Sequence, residues 1–377
     1  MEKKDKNLNV PNLRFPEFSG EWERCTLGDF GNVITGNTPP TAEDENFDNG
    51  THLWASPADL GTTKYIESTQ TLLSDRGFEK SRSFPANSIL VTCIGSTIGK
   101  MGMSKTEMAS NQQINTIVPV QHDANFVYYA VQSRFPRYLS SIAVQAVPIL
   151  SKSSFEKLTN YTTARKEQIK IGNLLSLIDE RIDTQKKIIE KYESLIRGLY
   201  YSVFNQPAST LQLKDVVSLV KGQQVNGEEL LEYGNYYVMN GGTEPSGYLD
   251  VCNTPANTIS ISEGGNSCGY VQYNTEPFWS GGHCYSLIQK EQSVNYQYLY
   301  HFLKYKERNI MALRIGSGLP NVQKKDLERF EIRVLPTKQQ NRVAEILEDV
   351  SAKCDLEKRI LQGWQCQKSY LLHNLFI

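Results

Sequence analysis

Displaced by 170 residues, the chain falls on itself. PANSILVTCIGSTIGK (85–100) meets PANTISISEGGNSCGY (255–270), with Pro85, Ala86, Asn87, Ile89, Gly95 and Gly99 over Pro255, Ala256, Asn257, Ile259, Gly265 and Gly269. Ser110 meets Ser280, and Asn125 meets Asn295 at the head of two aromatic segments, NFVYYAV and NYQYLYHF. At 172 residues, Pro148 meets Pro320, Lys152 meets Lys324, Gln168 meets Gln340, Leu199 meets Leu371 and Phe204 meets Phe376. Near the start, TLGDFGNVITG (26–36) lies over QLKDVVSLVKG (212–222) at 186. Two copies are too few for a solenoid, which stacks three or more to close its core. The expectation is a pseudo-twofold molecule, one unit from about 26 to 205 and one from about 211 onward.

Each copy runs in the same order. A strand and turn precede a long irregular stretch, the PAN strand and a Gly-rich turn. A further strand follows (INTIVPV; CYSLIQ), then an aromatic helix, a Pro-marked turn and a long helix. Residues 24–150 and 206–322 are read as globular α/β domains, 1–23 as an N-terminal tail, and 151–205 and 323–377 as long-helix regions. From Gln168, positions Ile171, Leu175, Ile178, Ile182, Gln185, Ile189, Tyr192, Ile196, Leu199 and Val203 alternate steps of three and four, a heptad seam. The second copy repeats it at Val343, Leu347, Val350, Cys354, Glu357, Leu361, Trp364, Lys368, Leu371 and Leu375. About 36 residues each make rods of ~54 Å. The economical partner for each seam is the other helix, antiparallel, with Gln185 and Glu357 as a polar central layer. The bland alternative packs each helix on its own domain.

Net charge is −1, which excludes a histone-like basic binder. Charge alternates along the chain: 24–150 and 206–322 are slightly acidic, 151–205 and 323–377 slightly basic. No window approaches a membrane span, and 1–11 has no apolar stretch of a secretory signal, so the expected compartment is the cytoplasm, with no membrane partner. Seven scattered cysteines form no CxxC. Cys268, His283 and Cys284 lack the second pair that a zinc site needs, so no metal and no cofactor is expected.

Motifs for chemistry are poor. GSTIGK (95–100) is one residue short of a phosphate loop and its repeat partner lacks the lysine, which leaves a structural turn. NTPP (37–40) departs from a methyltransferase NPP[YF] loop at Thr38 and after Pro40. No catalytic residue is assigned. What remains is polar reading chemistry. Amides such as Asn111, Gln112 and Gln113 suit adenine, and Arg or Lys suits guanine or phosphate. Candidate contacts are Arg82, Lys100, Lys105 and Arg134 in the first domain and Asn266, Tyr270, His283, Arg314 and Lys324 in the second. The alternative for each is ordinary loop polarity.

With these residues in view, the chain resembles the specificity subunits of Type I restriction–modification enzymes. LRFPEFSGEWERCTLGDF (13–30), the PAN strand with GSTIGK, SNQQIN (110–115) and KEQIKIGNLLSLID (166–179) resemble family signatures, and TKQQNRVAEILEDV (337–350) repeats the last. YTTAR (161–165) departs by lacking the proline found at Pro336. The resemblance implies two target recognition domains, each reading half of a split site in double-stranded DNA, and an antiparallel helical coiled coil that spaces them. It implies two methylation subunits as partners, with restriction subunits that translocate and cleave, and no catalysis in this chain. Two alternatives are a specificity chain of a Type IIB-like enzyme and a coiled-coil scaffold without DNA.

Overall fold

The computed structural model describes residues 9–142, 149–290, 293–316, 318 and 320–377. The chain forms two compact units, Met1–Lys187 with Arg359–Ile377, and Ile188–Lys358. Both long helices therefore contribute one half to each unit.

The first unit is built on a five-stranded sheet in the order Gly31–Thr35, Ile114–Pro119, Ile89–Thr92, Met101–Ser104, Tyr65–Ile66. The central strand ILVT is buried on both faces. Ile89 and Val91 face the aromatic helix Ala124–Ile142, in one cluster with Phe126, Val127 and Tyr129. Leu90 faces the other way, toward Phe84, Met108 and Ala55. Those residues belong to a second sheet, ordered Thr71–Leu73, His52–Ala55, Met108–Ser110, Ser83–Phe84. The stretch expected to be irregular thus holds strands of two to four residues, too short to show a period of two.

The second unit repeats the main sheet as Val217–Lys221, Cys284–Gln289, Thr258–Ser262, Val271–Asn274. The register is the same residue for residue. Ile89 opposes Ile117 and Met103, while Ile259 opposes Leu287 and Tyr273. Each unit adds a two-stranded ribbon, Glu23–Thr26 with Thr159–Thr162 and Ser209–Gln212 with Glu331–Val334. The PAN motif has a backbone reason. Asn87 (φ 65°) and Asn257 (φ 56°) both occupy the left-handed region, which asparagine tolerates better than most side chains. Pro148 lies outside the described residues; its partner Pro320 accepts the N–H of Gly265.

One pairing shifts. The sheet keeps the 170 offset through Pro119 and Gln289, but the aromatic helices follow 172. Asp123, not Asn125, is the counterpart of Asn295. Asp123 and Asn295 each cap their helix by accepting an N–H, from Phe126 and Tyr298, at 2.9 Å. Asn125 instead accepts from Lys64 Nζ at 2.6 Å.

The long helices are Arg165–Phe204 (40 residues) and Thr337–Asn374 (38 residues), starting three residues ahead of Gln168 and Gln340. Ala164 replaces Pro336 without loss, since each carbonyl accepts the N–H groups three and four residues on. The glutamines are buried, at 2% and 1% exposure. Gln168 accepts the Asp123 N–H at 2.9 Å and donates to the Thr163 carbonyl at 2.7 Å. Gln340 does the same with Asn295 and Leu335, both at 2.7 Å. One side chain thereby ties a long helix to the cap of an aromatic helix.

The helices pair antiparallel, early half against late half. In the first unit Lys368 meets Asp179 at 2.6 Å, and Ile171, Leu175, Ile178 and Ile182 share a core with Leu361, Trp364, Leu371 and Leu375. In the second, Lys358 meets Glu193 at 3.1 Å, and Ile196, Leu199 and Val203 share a core with Val343 and Leu347. Gln185, Ile189 and Cys354 are buried, while Tyr192, Val350, Glu357 and Lys368 are half-buried. Phe376 lies 5.5 Å from Phe126 and Phe204 lies 5.5 Å from Tyr298, equivalent partners in the two aromatic helices. Among the described residues no helix is long and apolar enough to cross a membrane.

Candidate nucleic-acid interface

Both units carry a polar edge where the first sheet strand ends. The strand leaves through Gly36 or Gly222, where a Cβ would lie 2.2 Å from the carbonyl oxygen of Ser110 or Gly281. Only glycine permits that approach. The next residue then bonds across, Asn37 N–H to Ser110 at 2.9 Å and Gln223 N–H to Ser280 at 2.8 Å. A tryptophan indole clamps the same carbonyl in both copies, Trp54 on Asn37 and Trp279 on Gln223, each at 3.1 Å. The two tryptophans come from different strands of the small sheet, His52–Ala55 and Trp279–Ser280.

In the first unit this edge gathers four predicted residues. Gln112 accepts from Thr38 Oγ1 at 2.6 Å and is exposed. Asn111 is buried and pairs with Gln113, its Oδ1 accepting the Gln113 N–H at 3.0 Å. Arg82 is exposed; its N–H is held by Asn37 Oδ1 at 2.7 Å and its guanidinium donates to Thr35 at 3.1 Å. Asn37 and Thr38, set aside with the rejected NTPP motif, sit at the centre. Their signal was the neighbouring Gly36, which the repeat places over Gly222.

In the second unit the edge is a cavity of about 590 Å³. Of the predicted residues it holds Asn266 and His283. Lys221, Asn240, Glu263 and Asn321, which the sequence did not single out, complete it. Asn240 Oδ1 accepts the His283 N–H at 3.1 Å. Glu263, 8% exposed, receives Lys221 Nζ at 2.7 Å and the Tyr285 hydroxyl at 2.9 Å. Burial and that carboxylate hold Tyr285 in its phenol form.

The remaining candidates lie elsewhere. Arg134 turns inward, 5.0 Å over the Tyr161 ring, and donates to the Ile377 main-chain oxygen at 2.6 Å. It ties a helix end to the domain instead of joining the edge. Tyr270 lies under Lys304 Nζ, 4.0 Å from its ring centre. Lys105 pairs with Glu67 at 2.5 Å and Lys324 with Glu328 at 3.8 Å, while Arg314 is exposed just after a turn. Lys100 lines a separate cavity of about 600 Å³ beside Lys64, Gln132, Asp179 and Lys186. Lys64 is 5% exposed and burial pushes its ammonium down to about 8. Cys268 and Cys284 are buried, and among the described residues no three His, Cys, Asp or Glu side chains gather as a metal site.

Residues 19–194 and 206–363 each match the Type I restriction modification DNA specificity domain. The chain belongs to that family. Both copies of the domain span the duplicated sheets and run into the long helices. A type I specificity subunit of Mycoplasma genitalium is 24% identical over 284 residues, covering 71% of this chain and 74% of that protein. The MjaVIII specificity subunit of Methanocaldococcus jannaschii is 21% identical over 409 residues, covering 96% and 93%. The crystal structure of a Type I restriction–modification S subunit from M. genitalium shares the fold, with a TM-score of 0.77 at 21% identity, over 98% of this chain and 99% of that one. In this Type I specificity chain the shared frame is the sheet, the aromatic helix and the buried glutamine. The edges differ: both hold amides, but the first adds Thr38 and Arg82, while the second adds a buried carboxylate with lysine and histidine.

Proposed function

We propose that the chain is the DNA-recognition subunit of a Type I restriction–modification enzyme and reads a two-part target in double-stranded DNA. The observation that carries this is the pair of unlike polar edges at one place in two like frames. A duplicated scaffold has no need of that difference; a reader of two different half-sites does. The first reader is 24–150 and the second 206–322, with 151–205 and 323–377 as the helical spacer and 1–23 as an N-terminal tail. Arg82, Asn111, Gln112 and Gln113 serve the first half-site. Asn266 and His283 serve the second, and Lys100, Lys105, Tyr270, Arg314 and Lys324 are outlying phosphate or base contacts. The seam from Leu175 to Leu199 and from Leu347 to Leu371 sets the unread spacer.

Modest basic content makes the chain a weak binder alone, because phosphate neutralisation supplies most of the sequence-independent affinity. Two methylation subunits supply the missing charge and the methyl transfer, and restriction subunits supply cleavage in the cytoplasm. No chemical step is assigned to this chain.

The test is base-modification sequencing of DNA from cells that express the chain with its methylation partner. Exchanging 24–150 for a foreign domain alters one half of the methylated motif. Lengthening both helices by a heptad widens the spacer and leaves both halves intact. A change in both halves on domain exchange would refute modular reading. The absence of any sequence-dependent complex would favour a scaffold, and a fused nuclease–methyltransferase partner a Type IIB-like enzyme.

A further inference from the structure

Among the described residues Glu263 is the one buried carboxylate on either polar edge, and only one of its oxygens is hydrogen-bonded. Its main chain is fixed on both sides, its N–H donating to His283 at 2.9 Å and its carbonyl accepting from Val322 at 2.8 Å. Its Oε1 receives both Lys221 and Tyr285. Among the described residues no hydrogen bond reaches Oε2, and His283 Nδ1 lies 3.7 Å from it, beyond a hydrogen bond. The side chain is 11% exposed and lines the cavity beside Asn240, Asn266 and Asn321. A carboxylate offers about four acceptor sites. Oε2 opens on the cavity, where it can exchange water for an N–H donor brought by a ligand.

Phosphate repels a carboxylate, so the backbone of a duplex does not supply that donor. Base edges do, through exocyclic amino groups: cytosine N4 and adenine N6 in the major groove, guanine N2 in the minor groove. Lys221 offsets the charge, so the duplex is not driven off. The corresponding residue of the first unit is Cys93, fully buried, with Gln113 in the place of His283. The feature belongs to the second reader alone.

We infer that Glu263 reads an exocyclic amino group of one base in the half-site bound by the second domain, with Lys221 and Tyr285 as positioning residues. This rests on the reading of the chain as a DNA-recognition subunit. Cytosine is the expected base, because a carboxylate accepting from N4 is the standard pairing. A substitution sharpens the claim. In Glu263→Gln, Lys221 and Tyr285 hold the amide oxygen, so the amide NH2 points into the cavity. A donor now faces the base, and the site prefers a keto group where it had required an amine.

The experiment uses the full chain assembled with its methylation subunit. After the motif is found, competition binding is run on duplexes carrying amine-deleted analogues at each position of both half-sites: 2-pyrimidinone for cytosine, purine for adenine, inosine for guanine. Deletion at one position of the second half-site is expected to weaken wild-type binding by roughly ten- to a hundredfold. The analogue that does so identifies the base. Glu263→Gln should reverse the preference there, cytosine to thymine or adenine to guanine, with the first half-site unchanged as an internal control of folding. Tyr285→Phe should shift the same position, less strongly. The inference falls if no amine deletion in that half-site matters to the wild type, or if Glu263→Gln keeps the wild-type preference at every position. If Glu263→Gln does not fold, the analogue series on the wild type decides. A wild-type complex with no sequence dependence would sink the functional reading itself.

Discussion

The two units place the same residue of the aromatic helix against the first long helix, yet with different chemistry. In the first, Tyr129 donates to Asp179 at 2.6 Å, and Asp179 also binds Lys368. In the second, the residue 172 further on is His301, whose Nδ1 meets the Tyr200 hydroxyl at 3.0 Å. Burial drives His301 down to about 4, so it stays neutral. The buried polar position on the aromatic helix is kept while its partner is not, since at an offset of 172 Asp179 corresponds to Ser351 and Tyr200 to Leu372. The frame takes more than one polar partner here, and it leaves His301 Nε2 buried without a hydrogen bond among the described residues. The polar edges show the same freedom, because water can satisfy them.

The comparison breaks most easily at the aromatic ends of the long helices. Phe376→Ala and Phe204→Ala should each cost about 3–5 kcal/mol in urea unfolding, since both rings are buried at 6% and 1% exposure among other aromatics. A cost at one site only would mean that the two joints are not equivalent. The buried glutamines come next. Gln168→Leu and Gln340→Leu each strand a cap N–H and a carbonyl, for about 2–3 kcal/mol apiece. Values differing by more than roughly 1 kcal/mol would break the equivalence, given the usual scatter of such bonds.

Acid should separate the units. His301 has a folded value below its unfolded one, so its contribution is whole above about pH 6.5 and is lost as pH falls toward about 4. The second unit should lose about 3 kcal/mol over that window, a slope that His301→Phe removes. Half-buried His122 of the first unit is also held down by burial. Hydrogen exchange followed unit by unit should therefore show a loss in both and the larger one in the second; an equal loss would contradict it. Smallest in stability are the edges. Thr38→Ala and Gln112→Ala should stay within about 0.5 kcal/mol of wild type, since Thr38 is only half-buried and Gln112 is exposed. Methylome sequencing should nonetheless show the first half-site altered and the second unchanged.

Repeat arithmetic made much of this legible. Strand register, the capping glutamines and the closing phenylalanines recur because each performs one mechanical task per copy. The heptad seam was readable because a helix repeats every 3.6 residues whatever surrounds it. The small sheets were not, since strands of two to four residues carry no period. Arg134 looked like a phosphate or base contact because a cation on a helix is ambiguous until its neighbours are known. Here Tyr161 and Ile377 claim it.

The sequence by itself determined the duplication, the α/β character of each copy and the two long helices, because local spacing and self-similarity are properties of a one-dimensional string. Only tertiary structure decided which residues form the edges. Glu263 meets Lys221 and Tyr285 across 42 and 22 residues of chain. That meeting exists because three strands align side by side in one sheet, and register between strands is set by packing, not by neighbours in sequence.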